Sequence, residues 1–594
     1  MKIPTPKNPV LFATLLFTVG LYLLSGLFQN DFIVGDDTII VANNPDIRSF
    51  SNVPKFFMQP YHFMYCPIKM VSHTLDYAVS GLEPWGHRLF SLLYHLINVV
   101  LVFRLVSLLL SKLWGSEPRV KQGASIAALL FAIHPMNVET VAWLTGRGDL
   151  LYGGFFLGGL ISYIHYLTKG FRYRHLVITF ALFALSGLSK SSAFTFPLVL
   201  LVLDGYYGRR MVSWRVVLEK TPFVAGALAL GLSSIALRGG HAMPMEQYLA
   251  LVSPVDFVAI TLYPPAFYLV KFVVPLKLAL PYPHPITSTM PLSWDFYVYP
   301  LLLVGLVGLL FRKKTFSHPG AFSVLFYLAA TVSVLRLTPI FGALYSSIAA
   351  DRYVYVPMVG LVFFVGWVWG RLPEYKGLWK KWGYPAFMVG LIGLSGMMSV
   401  MSYERIRVFR NAETLFNDAH RKYPHHIAPL CQLAGTYHLM GDAERAAEIL
   451  NEVALMQPEN IEPTAMLFDF MIEAERYAEA LQAVDRILSI DPSLFKFYLS
   501  KAGLHVMLDQ PDRSLITLHA ALAYAPDKAA SDYIMQSMAL VADDVWEDAV
   551  KLFHQGNFDK ALSYLNTLIE LLPPHDKSAV VHELRDVIIL NTSQ

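Results

Sequence analysis

Apolar runs long enough to cross a bilayer alternate with short polar turns up to residue 403; from residue 404 the pattern is that of amphipathic helices. The first run, Pro9 to Phe28, follows Lys2 and Lys7 and has neither the short apolar region nor the small-residue cleavage site of a signal peptide. It predicts a retained helix with a cytoplasmic N-terminus. Later runs cover Leu89–Leu113, Ala124–Ile133 with a break at His134-Pro135, Leu150–Leu167, a Leu176–Tyr207 hairpin interrupted at Ser189-Lys190-Ser191, and Pro222–Leu237. Val255–Val274 is broken by Pro264-Pro265 and predicts a segment lying along or dipping into the interface. Lys112, Arg119 and Lys121, then Lys169, Arg172 and Arg174, then Arg209 and Arg210 mark cytoplasmic turns by the positive-inside rule. Continued to the end of the apolar region, this sorting predicts about eleven crossings, with residues 29–88 as a large first external loop.

The second pattern is periodic. Pro424, Pro458, Pro492 and Pro526 recur every 34 residues, the period of tetratricopeptide repeats, and Ala446, Ala480 and Ser514 fall in phase where paired helices need a small residue. Another unit begins at Gly556-Asn-Phe-Asp-Lys-Ala561, out of phase, which predicts a longer helix before it. The expected organisation is all-α: a polytopic membrane domain over 1–403 and a repeat α-solenoid over 404–594 on the external side, stacking into a concave surface that binds polypeptide.

Composition agrees with the membrane reading: 55% of residues are hydrophobic, 15% are charged, and the mean hydropathy is +0.45. The net charge of +3 is too small to point to nucleic acid. Cys66 and Cys431 are the two cysteines and lack metal-ligand spacing, so neither a disulfide framework nor a zinc site follows.

Against this frame, the candidate chemistry begins at Asp36-Asp37 in the first external loop. Alone, such a pair reads more readily as a solvated loop or a helix cap. The same external face holds Arg88, Arg147, Lys190 and Arg352, and a lysine inside the apolar run Phe180–Leu203 is costly unless paired or functional. Snorkelling serves equally for Lys190, and structural salt bridges to Asp149 and Asp351 serve equally for Arg147 and Arg352. His134-Pro135 reads as a helix terminus, with Glu139 following it.

An ordered series carries a resemblance. Phe32-x-x-x-Asp36-Asp37, Asn43-Asn44-Pro45-Asp46, Tyr65-x-Pro67, Gly81-Leu-x-Pro84-x-Gly86, His134-Pro135-x-x-x-Glu139-x-Val141-Ala-Trp143, Gly146-Arg147-x-Asp149, Leu188-Ser-Lys190 and Asp351-Arg352-Tyr353-x-Tyr355-x-Pro357, followed by the repeats, resemble the transmembrane and tetratricopeptide-repeat O-mannosyltransferases and their bacterial relatives. The resemblance implies a GT-C glycosyltransferase fold and transfer of mannose or another hexose from a polyprenyl-phosphate donor to serine or threonine of a protein. It implies Asp36 and Asp37 as the catalytic pair and Arg147, Lys190, Arg352 and Arg88 as donor-phosphate ligands. His134, Glu139, Asp149 and Asp351 are then supporting residues. Two positions depart from the family pattern: Ser191 stands for the Glu of a Lys-Glu motif, and Gly35 for the aromatic before the acidic pair. The scheme requires no metal or cofactor, although an acidic pair is able to hold a divalent ion. The expected setting is a bacterial inner membrane facing the periplasm, or an endoplasmic reticulum membrane facing the lumen. A non-catalytic repeat scaffold and a lipid-linked oligosaccharide ligase are the alternative readings.

Overall fold

The computed structural model describes residues 25–592 except 62–63, 211–212, 239–245, 247–251, 286–291, 312–317, 336–346, 373–383 and 572–577. Most of the expected first span, Pro9–Phe28, lies outside the described residues. Among those described there is no β-strand; the chain divides into two compact units, Met1–Pro429 and Leu430–Gln594.

In the first unit, the segment after Gln29 is a set of short helices with a small core of its own, Ile40, Val41, Ile47, Phe56 and Met70. It leads into α1, Pro67–Ser80, which starts with proline at its first position and stops at Gly81, whose φ of +60° is a left-handed conformation that glycine supplies cheaply. Helix α2, Pro84–Trp114, follows at once. Next comes α3, Pro118–Ile133, which ends at His134; a turn at Pro135–Asn137 and a short helix, Val138–Ala142, continue at an angle of 53°. The proline removes the backbone donor that would continue α3 and so sets the break. Helices α4, Arg147–Thr168, α5, Tyr173–Ser189, and α6, Phe196–Tyr206, come after; the Ser189-Lys190-Ser191 interruption is the extended Lys190 between α5 and a 3-10 turn.

Helix α7, Trp214–Arg238, precedes α8, Pro254–Val273, where the break expected at Pro264-Pro265 does not occur. Pro264 and Pro265 lie inside one continuous helix of 20 residues, long and apolar enough to cross a membrane. Proline is tolerated where a neighbour supports the backbone. The carbonyls that the two prolines leave without a helical donor are those of Ile260 and Thr261; just beyond them α8 is tied to α10 (Pro319–Thr331, after α9, Asp295–Phe311), whose Tyr327 hydroxyl donates to the Pro265 carbonyl. The unit closes with α11, Met358–Arg371, α12, Tyr384–Val408, and α13, Ala412–Lys422.

Four described helices are long and apolar enough to span a bilayer, and the bent α3 pair makes a fifth; five shorter apolar helices accompany them. The helices associate through close backbone contact and polar links, as expected where lipid offers no hydrophobic drive. Gly123 of α3 and Gly366 of α11 meet so closely that a Cβ on Gly123 would come within 2.5 Å of the Gly366 carbonyl oxygen. Asn98 of α2 donates to the Leu150 carbonyl at 2.8 Å, and Ser186 of α5 donates to Tyr152 at 3.0 Å.

The second unit consists of antiparallel helix pairs. Pro458 and Pro492 each fall two residues beyond a helix, Ala443–Met456 and Tyr477–Ile490 respectively, where proline prevents continuation. Ala446, Ala480 and Ser514 are fully buried in the helix pairs. The helix before Gly556 is Lys528–His554, 27 residues long, which accounts for the shift in phase.

Candidate active site

The acidic pair divides its labour. Gly35 stands at φ +111°, a left-handed conformation that the family's aromatic residue would adopt only at a cost, and the turn it makes sends consecutive carboxylates to different surroundings. Asp37 is fully buried. Its carboxylate accepts from the Ile33 backbone at 3.1 Å and from the Thr145 backbone and hydroxyl at 3.0 and 2.9 Å. Burial pushes the Asp37 carboxyl above its ordinary range, opposed by the nearby Arg88 guanidinium and these hydrogen bonds. Asp36 is half-buried and lines a cavity of about 390 Å³.

The opposite walls carry cations. Lys190, held between α5 and the 3-10 turn, grips both oxygens of Asp149 at 2.6 and 2.7 Å, with its ammonium over the Tyr353 ring. Arg352 pairs with the fully buried Glu139 at 2.5 Å and lies between the rings of Trp143 and Tyr353. Trp143, Thr145, Gly148, Ser191 and Tyr353 complete much of the lining. Ser191 thus faces the cavity at the position where the resemblance expects Glu.

Lys69 also lines this cavity, and sequence reasoning passed over it. It belongs to the first turn of α1 and is 2% exposed. Nothing marked it in a loop rich in polar residues; the one available signal was its spacing of seven from Asp76, which places two charges on one face of an amphipathic helix.

Arg147 and Arg88 do not line the cavity. Arg147 points into the protein, where it pairs with Asp76 at 2.8 Å and donates to the His87 carbonyl at 2.7 Å and to the Ser91 hydroxyl. Arg88 donates to the carbonyls of Ala142 and Asp31. Both satisfy buried oxygens behind the wall, which is why an external position in the topology did not make them cavity ligands. Among the expected supporting residues, Asp149 lines the cavity and Glu139 stands behind Arg352. Asp351 accepts from the Tyr282 hydroxyl at 2.7 Å, its backbone donates to Glu139 at 3.1 Å, and burial together with the Glu139 charge raises its pKa. His134 caps the turn after α3 and stacks on Phe272, so it serves the break in the helix.

His73, Asp76 and His87 bring potential metal-ligand atoms within 4.8 Å of one another. The Arg147 guanidinium already occupies Asp76 from the same cluster, and a fixed cation there makes the group an ion-pair network poorly suited to a divalent ion.

A helical membrane protein with an acid-and-cation cavity and a tail of helix-pair repeats is the class that this fold and site define. The chain is similar to the transmembrane and tetratricopeptide-repeat O-mannosyltransferases: it is 26% identical to protein O-mannosyl-transferase TMTC3 of Mus musculus over 237 residues, 37% of this chain and 24% of that protein. It is 32% identical to tmtc2 of Xenopus laevis over 167 residues, 26% of this chain and 18% of that protein, and 28% identical to TMTC4 of Homo sapiens over 187 residues, 29% and 25%. The chain therefore spans about a quarter or less of the length of these curated relatives. No protein-family profile matches it. Among solved structures, the MamA protein aligns with 28% of this chain and 86% of its own at 16% identity, with a TM-score of 0.20.

Proposed function

We propose that this chain is an integral-membrane glycosyltransferase that moves a sugar, mannose or another hexose, from a polyprenyl-phosphate donor to a hydroxyl of serine or threonine in a protein presented by the repeats. One observation carries the reading: a half-buried carboxylate, Asp36, opens onto a cavity whose other walls hold Lys190 and Arg352. Transfer needs a base for the acceptor hydroxyl and positive charge for the departing phosphate, and the cavity offers both. In this scheme Asp36 takes the hydroxyl proton as the acceptor oxygen bonds to the anomeric carbon. The bond from that carbon to the phosphate oxygen breaks, its electron pair stays with the phosphate, and the single displacement inverts the anomeric centre. Asp37, with its oxygens committed to Ile33 and Thr145, fixes the turn that presents Asp36. The similarity to protein O-mannosyl-transferases supports transfer to protein.

The test is a membrane assay with radiolabelled polyprenyl-phosphate mannose and a parallel donor carrying another hexose, products being read by mass spectrometry. Asp36→Asn should lower transfer at least about a hundredfold at equal expression. Undiminished transfer by that variant sinks the assignment, and attachment of a whole glycan in place of one sugar turns it into a ligase.

A further inference from the structure

The cavity's cations are not equivalent. Lys190 holds both oxygens of Asp149, and Arg352 is engaged by Glu139, so each brings its own counter-charge. Lys69 is different: it is 2% exposed, faces the same cavity, and among the described residues no carboxylate lies within ion-pair distance of its ammonium. Asp36, Asp37 and Lys190 act on it only through space, and burial holds the ammonium below its ordinary range. A buried ammonium without a counter-ion is expensive. Such a group is retained where an anion completes it.

Its place in the fold adds a second set of donors. Lys69 sits in the first turn of α1, a helix of 14 residues whose preceding residue, Cys66, also lines the cavity and makes no side-chain cap. Pro67 has no N–H and Met70 bonds back to Cys66, so the Ile68 and Lys69 amides, next to the cavity-lining Cys66, are the open donors of that first turn. Gly148 lies against Lys69: a Cβ there would sit 3.3 Å from the Ser189 carbonyl oxygen and in van der Waals contact, 3.7 Å, with the Lys69 side chain.

We propose that Lys69, together with the open first turn of α1, is the group that holds the donor's lipid-linked phosphate and receives the charge it acquires on departure. This assignment rests on the glycosyltransferase reading above. When the acceptor oxygen bonds to the anomeric carbon and the carbon–oxygen bond to phosphate breaks, the proton goes to Asp36 and the phosphate passes from one negative charge to two. The ammonium of Lys69 meets the second charge directly, while Lys190 and Arg352, each beside its own carboxylate, add to the positive charge of the walls.

The experiment is binding, which does not depend on turnover. Full-length protein in phosphatidylcholine nanodiscs is titrated with decaprenyl phosphate, with the neutral alcohol decaprenol, and with inorganic phosphate. Lys69→Met and Lys69→Gln should weaken decaprenyl phosphate at least about tenfold, as expected for a lost charge-assisted contact, while decaprenol binding and the unfolding temperature stay at the wild-type level. Lys69→Arg should restore most of the affinity. Wild-type affinity for decaprenyl phosphate in both neutral variants overturns the proposal, as does an equal loss of decaprenol binding, which marks a structural role. Inorganic phosphate binding as tightly as the lipid assigns the site to a free anion and overturns the lipid assignment. Intact phosphate binding with no sugar transfer from any polyprenyl-phosphate donor defeats the function reading alone.

Discussion

Replacing Asp76 by Asn tests whether Arg147 is a structural or a ligand-binding residue. The two side chains are fully buried, with nitrogen and oxygen 2.8 Å apart. At an effective dielectric of about 20 that separation gives a gross attraction of roughly 6 kcal/mol, set against the desolvation of both ions. Removing Asp76 leaves the Arg147 charge buried with only its hydrogen bonds to neutral acceptors, chiefly His87 O and Ser91 Oγ, and the expected loss is about 3–5 kcal/mol. Against the ~5–15 kcal/mol that stabilises a typical domain, the loss is large enough to read by denaturant or thermal unfolding of purified protein. Replacing both residues, Asp76→Asn with Arg147→Met, removes the orphaned charge and should cost less than the two single changes added together. The refuting result is simple additivity. A second one is an Arg147→Met variant of wild-type stability that fails to bind polyprenyl phosphate, which restores the ligand role expected from the sequence.

The same cluster predicts a pH dependence. Burial pushes His73 down to about 3, with Asp76, His87, Arg147 and Lys69 around it. The unfolded chain binds that proton near 6.5, so the contribution to stability is complete above about 6.5 and is lost as pH falls from there toward 3. His73→Gln should flatten the unfolding temperature over the upper part of that window, and an unchanged slope would assign the acid sensitivity elsewhere. At the crossing of α3 and α11, Gly123→Ala forces the Gly366 backbone to move and should cost about 1–3 kcal/mol in the same unfolding assay; no loss would show that the two helices stand further apart.

The sequence could be read where one residue type sets the backbone. The break after Ile133, the interruption around Lys190, and the repeat helices ending before Pro458 and Pro492 are local effects of proline or of a costly lysine, and each is found where expected. Pro264-Pro265 was misleading because a helix packed among apolar neighbours tolerates proline, and α8 runs through both. Asp36, Lys190, Arg352 and Asp149, grouped on one face from the sequence, do line one cavity. The cavity position of Lys69 and the inward positions of Arg147 and Arg88 could not be read from the sequence. Sidedness places a residue on one face of the membrane, but the direction of its side chain is decided by partners distant in sequence, such as Asp76 for Arg147 and the Ala142 carbonyl for Arg88.

The division between Asp36 and Asp37 has a consequence that the pair alone does not suggest. Asp37 accepts from Thr145, and four residues further along the same segment Asp149 holds Lys190. One buried carboxylate therefore fixes the turn carrying Asp36 and also the start of the helix carrying the Asp149–Lys190 ion pair. Asn at position 36 keeps these links and should lose rate with stability intact. Asn at position 37, with its oxygen kept on the two Thr145 donors, turns its amide NH2 toward the Ile33 backbone N–H, loses that accepted hydrogen bond, and leaves Arg88 without its nearby carboxylate. It should lose both rate and stability, by about 1–3 kcal/mol in unfolding. Equal stability in the two variants, measured on the same preparation, would mean that the carboxylates are interchangeable and that the turn at Gly35 does not separate their roles.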